Sequence, residues 1–134
     1  MIITDIEQID RLVVDTLAGS ANVLAVEVGD YALLKEQSAS LKLLLLEYSE
    51  LTRDVADSIG EALMEVGVEG VKNALLLISV GGSGGEEVPL TFEQMQMCWC
   101  AVEDKLADSN IIVGLGSTGE EREYVRIAIV LGYC

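Results

Sequence analysis

Two cysteines, Cys98 and Cys100, flank a tryptophan in the last third of the chain. Thiols this close in sequence can bind a soft metal ion or form a redox pair. The segment from Thr91 to Asp108, however, has the apolar spacing of a helix, in which each residue turns about 100° around the axis. The two thiols then lie about 200° apart, on opposite flanks of Trp99, and cannot bind one ion together. We interpret both as packing thiols.

A glycine-rich loop, Gly81–Gly85, follows the apolar run from Asn73 to Val80 and precedes this helix. Such a loop between a strand and a helix can bind phosphate through backbone amides and the helix N-terminus. The Gly-Lys-Ser/Thr ending of a phosphate loop is missing, and Glu86 and Glu87 would repel the anion. The sequence therefore favours a flexible connection that binds no nucleotide.

Carboxylates line one side of the helix that Thr52 opens, at Asp54, Asp57, Glu61 and Glu65. The chain has no histidine, which removes the commonest metal ligand and the Ser/His and Cys/His nucleophile pairs. Carboxylates without histidine or cysteine nearby are poor evidence for a metal site. We predict that this side is solvated and that the protein uses no metal and no cofactor.

The composition excludes several kinds of partner. A formal net charge of −15 would repel nucleic acid and anionic membranes, so neither is expected to bind. The apolar runs are too short to cross a bilayer, and three cysteines, an odd number, fit a reducing compartment. We expect one domain of 134 residues in the cytoplasm.

The elements that must position these residues follow from the periodicity. Thr4 and Glu7 form a capping box at the start of the first helix, and Gly67 fits the position just after the end of the helix that Thr52 opens. The last strand alternates, with Val125, Ile127, Ile129 and Leu131 on one face. In the helix after Thr91 the predicted core stripe is Phe92, Met95, Trp99, Val102 and Leu106.

Four segments of the chain carry a further signal: Ala74–Gly82 (ALLLISVGG), Leu90–Glu93 (LTFE), Ala107–Gly114 (ADSNIIVG) and Val125–Gly132 (VRIAIVLG). In this order they resemble the C-terminal domain of the FtsZ/tubulin family. The resemblance is strongest over residues 73–132 and rests on packing motifs. The family's nucleotide signature, a Gly-Gly-Gly-Thr-Gly loop, does not occur in this sequence. The resemblance therefore implies the domain without the GTP-binding half.

The resemblance implies an α+β fold, a four-stranded mixed β-sheet with helices packed mainly on one face, also found in chorismate-mutase-like sandwiches. Residues 1–19 resemble the end of the family's connecting helix, 20–37 its catalytic loop and a short helix, and 38–134 the sheet and its helices. The family's Asn-x-Asp-x-x-Asp loop corresponds to Ala25–Asp30, in which Ala25 replaces the asparagine. Carried over position by position, Glu27 and Asp30 are the candidate residues for a neighbouring subunit's nucleotide site; otherwise Asp30 caps a helix and Glu27 is solvated.

Three functions remain open. The first is a non-catalytic interaction module, related to cell division or the cytoskeleton, that forms a homo-oligomer or binds a tubulin- or FtsZ-like protein through the uncovered sheet face or the first helix. The second is the C-terminal part of a tubulin-like GTPase. The third is a small-metabolite enzyme or regulator, for which the available arginines are Arg11, Arg53, Arg122 and Arg126. Arg126 is expected to be an ordinary exposed strand residue.

Overall fold

Strands and helices alternate along the chain in the computed structural model, which describes residues 1–17, 21–24, 28–48, 53–80, 92–106, 108–117 and 124–134. The helices of these ranges are α1 (Ile6–Leu17), α2 (Val28–Glu36), α3 (Arg53–Val66) and α4 (Phe92–Lys105). The strands are β1 (Ile2–Ile3), β2 (Ala21–Leu24), β3 (Ser40–Tyr48), β4 (Val71–Val80), β5 (Asn110–Ser117) and β6 (Val125–Tyr133).

The described strands form one mixed sheet in the order β1-β3-β6-β4-β5-β2. All neighbouring pairs are antiparallel except β4 and β5, which are parallel and are joined by a connection that contains α4. A parallel pair needs such a crossover. The predicted α+β class is confirmed, and β3, β4, β5 and β6 are the predicted strands. The strand count is corrected from four to six, because β1 and β2 extend the two edges.

One face of the sheet, here called the first face, packs against α3 and α4. Its core includes Ile127, Ile129 and Leu131 of β6 together with Ile59 of α3 and Val102 of α4. The predicted alternation of the last strand is thus confirmed. Because the sheet supplies every second side chain and the two helices each supply a stripe, this core is built almost entirely from aliphatic groups.

The opposite face, here called the second face, packs against α1 and α2. Leu43, Leu75 and Val130 of the sheet share this core with Ile9 of α1 and Leu34 of α2. The prediction that helices lie mainly on one face is therefore corrected: two of the described helices cover each face. The physical reason is that the apolar stripe of α1 needs burial, and the alternate side chains of the same strands provide it.

The ends of two helices show their local causes. Asp5, not the predicted Thr4, caps α1: its carboxylate accepts a hydrogen bond from the Glu7 amide at 3.0 Å. Gly67 follows α3 as predicted, with φ of 85° and its amide donating to the carbonyl of Leu63 at 3.0 Å. This left-handed conformation favours glycine, so Gly67 ends the helix without strain.

Candidate functional site

Asp30, the candidate acid carried over from the resemblance, is the third residue of α2 and is half-buried. Because α2 already begins at Val28, Asp30 lies in the first helical turn and does not occupy the expected capping position. A carboxylate in the first turn is favoured by the helix dipole. Glu27 lies outside the described residues, so its relation to Asp30 stays a prediction.

The helix that carries Asp30 is fixed to α1 by a polar cluster that the sequence reasoning missed. The hydroxyl of Tyr31 donates to Oδ1 of Asp10 at 2.5 Å, and the Lys35 ammonium donates to the same carboxylate at 2.9 and 3.0 Å. Tyr31 itself is buried in the core of the second face. The spacing of Tyr31 and Lys35, four residues apart on one helix face, was readable, but their pairing with Asp10 was not, because it joins distant parts of the chain.

These contacts shift the pKa values of both Asp10 and Tyr31. The hydrogen bond from Tyr31, followed by that from Lys35, holds the pKa of the Asp10 carboxyl below its ordinary value. Burial, followed by the bond to Asp10, raises the pKa of the Tyr31 hydroxyl. A lowered carboxyl pKa contributes stability above the pKa of the unfolded chain, and this contribution is lost as the pH falls through the lowered value.

Replacing Tyr31 by phenylalanine tests this cluster. We expect a loss of about 1 kcal/mol of unfolding free energy at pH 7, because the bond to a charged acceptor disappears while the ring stays packed. The loss stays near the low end because the Asp10 side chain is 37% exposed and water can replace the hydroxyl. Thermal melts at pH 7 and pH 3 measure it: the difference from wild type shrinks at pH 3, and an equal difference at both values would contradict the role of the charge.

A groove with a volume of about 840 Å³ runs between the outer sides of α3 and α4. Ala56, Gly60 and Met64 line it from α3, and they repeat every four residues. Across from them on α4 lie Met97 and Ala101. The rim is acidic, formed by Asp57, Glu61 and Asp104, with Lys105 the one basic residue among those that line the groove.

The acidic side predicted for α3 is confirmed, since Asp54, Asp57, Glu61 and Glu65 are all exposed. No group of three or more cysteine and carboxylate side chains that could hold a metal ion occurs among the described residues. Within the same ranges, no helix combines the length and the apolar content needed to span a bilayer. The glycine loop Gly81–Gly85 lies outside the described residues, so its predicted role stays untested.

Cys98 lies in the environment predicted for it, whereas Cys100 and Trp99 do not. Cys98 is fully buried in the first-face core, as expected of a packing thiol, whereas Cys100 is exposed at the groove. Trp99 is 38% exposed and does not belong to the core stripe. Of the predicted stripe, Met95, Val102 and Leu106 are buried in the first-face core, and the smaller Cys98 takes the place of Trp99. The side chain of Phe92, the remaining member, is not among those described.

Thiol titration should separate these cysteines. Burial raises the pKa of Cys98 to about 11, so at pH 8 this group is both protonated and inaccessible. We expect an aromatic disulfide reagent to modify Cys100 and Cys134 rapidly in the native protein, and Cys98 only after denaturant is added. The variant Cys98→Ser serves as the control and should show the same fast phase; three fast thiols in the native protein would contradict the structure.

The prediction that Arg126 is an ordinary exposed strand residue is wrong. Its guanidinium lies 3.9 Å from the Glu47 carboxylate on β3 and 5.5 Å from the centre of the Tyr124 ring. The side chain is half-buried, and its charge is already compensated by Glu47. This arrangement gives no support to Arg126 as a binding group for an acidic metabolite.

The comparisons identify the fold but no sequence family. No protein-family model matches the sequence, and no curated protein matches it. An empty FtsZ dimer from M. jannaschii is similar in structure, with a TM-score of 0.65 and 16% sequence identity over 94% of this chain and 38% of that chain. The architecture itself, a six-stranded mixed sheet between two layers of helices, defines an α+β domain. More particularly, the chain has an FtsZ-like fold.

Two further structures overlap less well. Thiamine monophosphate kinase from Aquifex aeolicus gives a TM-score of 0.40 at 13% identity, covering 78% of this chain and 42% of that one. The HypE–HypF complex gives 0.33 at 10% identity, covering 96% and 42%. Both scores are too low to carry an argument. The chain spans less than half the length of each of these structures, so their whole-protein activities do not transfer with the fold.

Proposed function

We propose that this chain is a non-catalytic interaction and oligomerisation module that corresponds to the C-terminal half of FtsZ, with a role in cell division or the cytoskeleton. The observation that carries the proposal is the pair of coverages: the FtsZ similarity takes in 94% of this chain but 38% of the FtsZ chain. The motifs that resemble FtsZ lie mainly on β4, β5, β6 and the start of α4. These elements pack against one another in the fold.

The start of α1 is held against the sheet by local contacts. In the resemblance, residues 1–19 correspond to the end of a long helix shared with the nucleotide domain. Here α1 begins at Ile6 under the Asp5 cap, and Ile2 and Ile3 pair with Leu44 and Leu43 of β3. A helix continued backward from Ile6 would remove this strand pairing. These contacts fix the start of α1 next to the edge strand β3.

Self-association has specific apolar groups to cover. The sequence suggested an uncovered second face, but α1 and α2 lie over it. Large apolar side chains remain exposed on that side at Val14 of α1, Leu33 of α2 and Ile112 of β5. A net charge of −15 opposes contact between copies, so their interface must be formed mainly by such uncharged groups.

Light scattering at rising protein concentration, together with co-sedimentation with FtsZ polymers, tests the proposal. We expect a dimer or higher oligomer, or pelleting with the polymer, and we expect Leu33→Glu to weaken either association. Trp99→Glu is the matched control, since it adds the same charge at an exposed apolar position on the first-face side. A clean monomer at high concentration that also stays in the supernatant with FtsZ would overturn the proposal.

A second candidate function keeps the nucleotide connection. Asp30 lies in the first turn of a helix that Tyr31 and Lys35 fix to Asp10, so its position is well determined. A carboxylate held near a bound nucleotide can orient the attacking water. In this alternative, Asp30, with Glu27 three residues before it in the sequence, supplies acids to a GTP site on a neighbouring subunit.

Mixing the protein with a separate FtsZ nucleotide domain and measuring GTP turnover tests this alternative. We expect Asp30→Ala to lower turnover at least tenfold if the carboxylate orients water, with a smaller effect on association. Asp15→Ala, which removes an exposed acid from α1, is the matched control. Turnover that is absent, or equal for both variants, would remove this alternative and leave the interaction module intact.

A further inference from the structure

The groove between α3 and α4 combines an apolar floor with an acidic rim. We propose that it binds a cationic amphipathic helix of a partner protein. This inference goes beyond the proposed function in two ways. The occupant is not a second copy of the chain, and the groove is a different surface from the one that contains Leu33. An amphipathic helix in a groove is a recurrent mode of recognition, in which apolar side chains enter the groove and charged side chains meet the rim.

The floor of the groove has the space and the surface that a helix needs. Ala56, Gly60 and Ala101 have little or no side chain, so another backbone can approach closely. A Cβ atom built on Gly60 would meet only the Lys105 side chain, at 3.5 Å, which is ordinary van der Waals contact. A side chain added at Gly60 would therefore enter the groove beside the stem of Lys105.

Two methionines supply the apolar contact. Met64 is 63% exposed, which is unusual for a large apolar side chain, and Met97 is half-buried on the opposite wall. Methionine side chains are flexible and polarisable, so they adapt to partner side chains of different shape. Burial of Met64 by a docked helix would remove its exposed apolar area from water.

The charge of the rim selects the sign of the occupant. Asp57, Glu61 and Asp104 are exposed at the groove, and the ammonium of Lys105 lies 4.0 Å from Asp104 and is partly compensated by it. A second copy that docked through the same surface would bring these acids against each other. A partner helix with lysine or arginine on its polar face avoids this repulsion and gains favourable pairs.

A fluorescent 18-residue peptide with leucines on one helical face and lysines on the other is the probe, with binding followed by anisotropy at low salt. We expect saturable binding, and about five- to tenfold weaker binding to the double variant Asp57→Asn, Glu61→Gln. The double variant Asp15→Asn, Glu36→Gln removes the same charge from exposed positions on α1 and α2 and should bind like wild type. A scrambled peptide of equal charge should bind at least tenfold more weakly.

A third variant, Gly60→Leu, blocks the groove without touching the charge. Because the site accepts a Cβ, we expect an unchanged or higher melting temperature and at least tenfold weaker peptide binding. The inference is overturned if Gly60→Leu binds like wild type, if both double variants weaken binding equally, or if the scrambled peptide binds as well. It is also overturned if Gly60→Leu reduces the mass of an oligomer, since the groove would then join copies of the chain, whereas Leu33→Glu tests the other surface.

Discussion

Replacing Gly132 by alanine is expected to lower the unfolding free energy by about 2 kcal/mol, or the melting temperature by about 6–10 °C. A Cβ atom at this position of β6 would lie 2.1 Å from the Ser38 hydroxyl oxygen, 3.2 Å from its Cβ and 3.3 Å from the Asn73 carbonyl oxygen. The first distance is far inside van der Waals contact. Gly132 is therefore required because Ser38, in the short segment between α2 and β3, lies close against β6.

The second-site variant Ser38→Ala makes this prediction specific. It removes the closest atom and leaves only the 3.2 and 3.3 Å contacts, so adding it to Gly132→Ala should restore about half of the lost stability. Alone, Ser38→Ala should cost less than about 1 kcal/mol, since it gives up the bond that the hydroxyl donates to the Leu34 carbonyl at 2.7 Å. Chemical denaturation of the four proteins measures the cycle. Independent, additive effects would contradict a direct clash.

Replacing Leu76 by alanine is expected to cost about 3–5 kcal/mol. Leu76 lies in the middle of β4, is fully buried, and belongs to the core between the first face and α3 and α4. The surrounding strands pair on both sides of β4, so the backbone cannot collapse into the vacated space. The loss therefore includes a cavity contribution beyond the transfer of the missing methyl groups.

Ile112→Ala on the neighbouring strand β5 is the control for Leu76→Ala. Ile112 is 39% exposed, and we expect a loss below about 1 kcal/mol. Urea unfolding with a common slope gives both values. If the two variants lost similar amounts, the first-face core would not be organised as described here.

The interior of the sheet could be predicted from the sequence. The alternation of β6 over Val125–Leu131 assigned each side chain to the correct face, because strand geometry leaves only two directions. The end of α3 could be predicted as well, since Gly67 stops this helix in the expected way, whereas the predicted caps of α1 and α2 were wrong. These features depend on neighbours in the sequence or on a strict period, so one sequence is enough to find them.

Long-range choices could not be predicted. The two residues of β1 have no strand signal of their own and pair only because the edge of β3 is available. In α4 the spacing fits a stripe through Trp99 as well as one through Cys98, and the sheet favours the smaller side chain. Coverage of the second face depends on how α1 packs back onto the sheet, and tertiary packing of this kind leaves no local pattern in the sequence. The Asp10–Tyr31 bond, between residues 21 apart in sequence, belongs to the same class.

The candidate site shows the same division. The sequence predicted Asp30 near the start of a helix, and α2 begins two residues before it. The polar cluster of Asp10, Tyr31 and Lys35 that fixes this helix to α1 depends on tertiary contacts, so it could not be predicted. The groove was not predicted. Ala56, Gly60 and Met64 repeat at helical spacing on α3, but the second wall on α4 begins at Met97, 33 residues after Met64, and no local pattern links the two.

The position of β6 has a consequence for biosynthesis. It is the last described strand of the chain, yet it lies between β3 and β4 at the centre of the sheet. While a ribosome is still making residues 125–133, β3 and β4 have no common neighbour, and both cores lack the side chains that β6 contributes, such as Ile129 and Val130. The sheet can therefore be completed only after this segment has been translated, and until then the leucine-rich strands β3 and β4 keep apolar surface exposed to water.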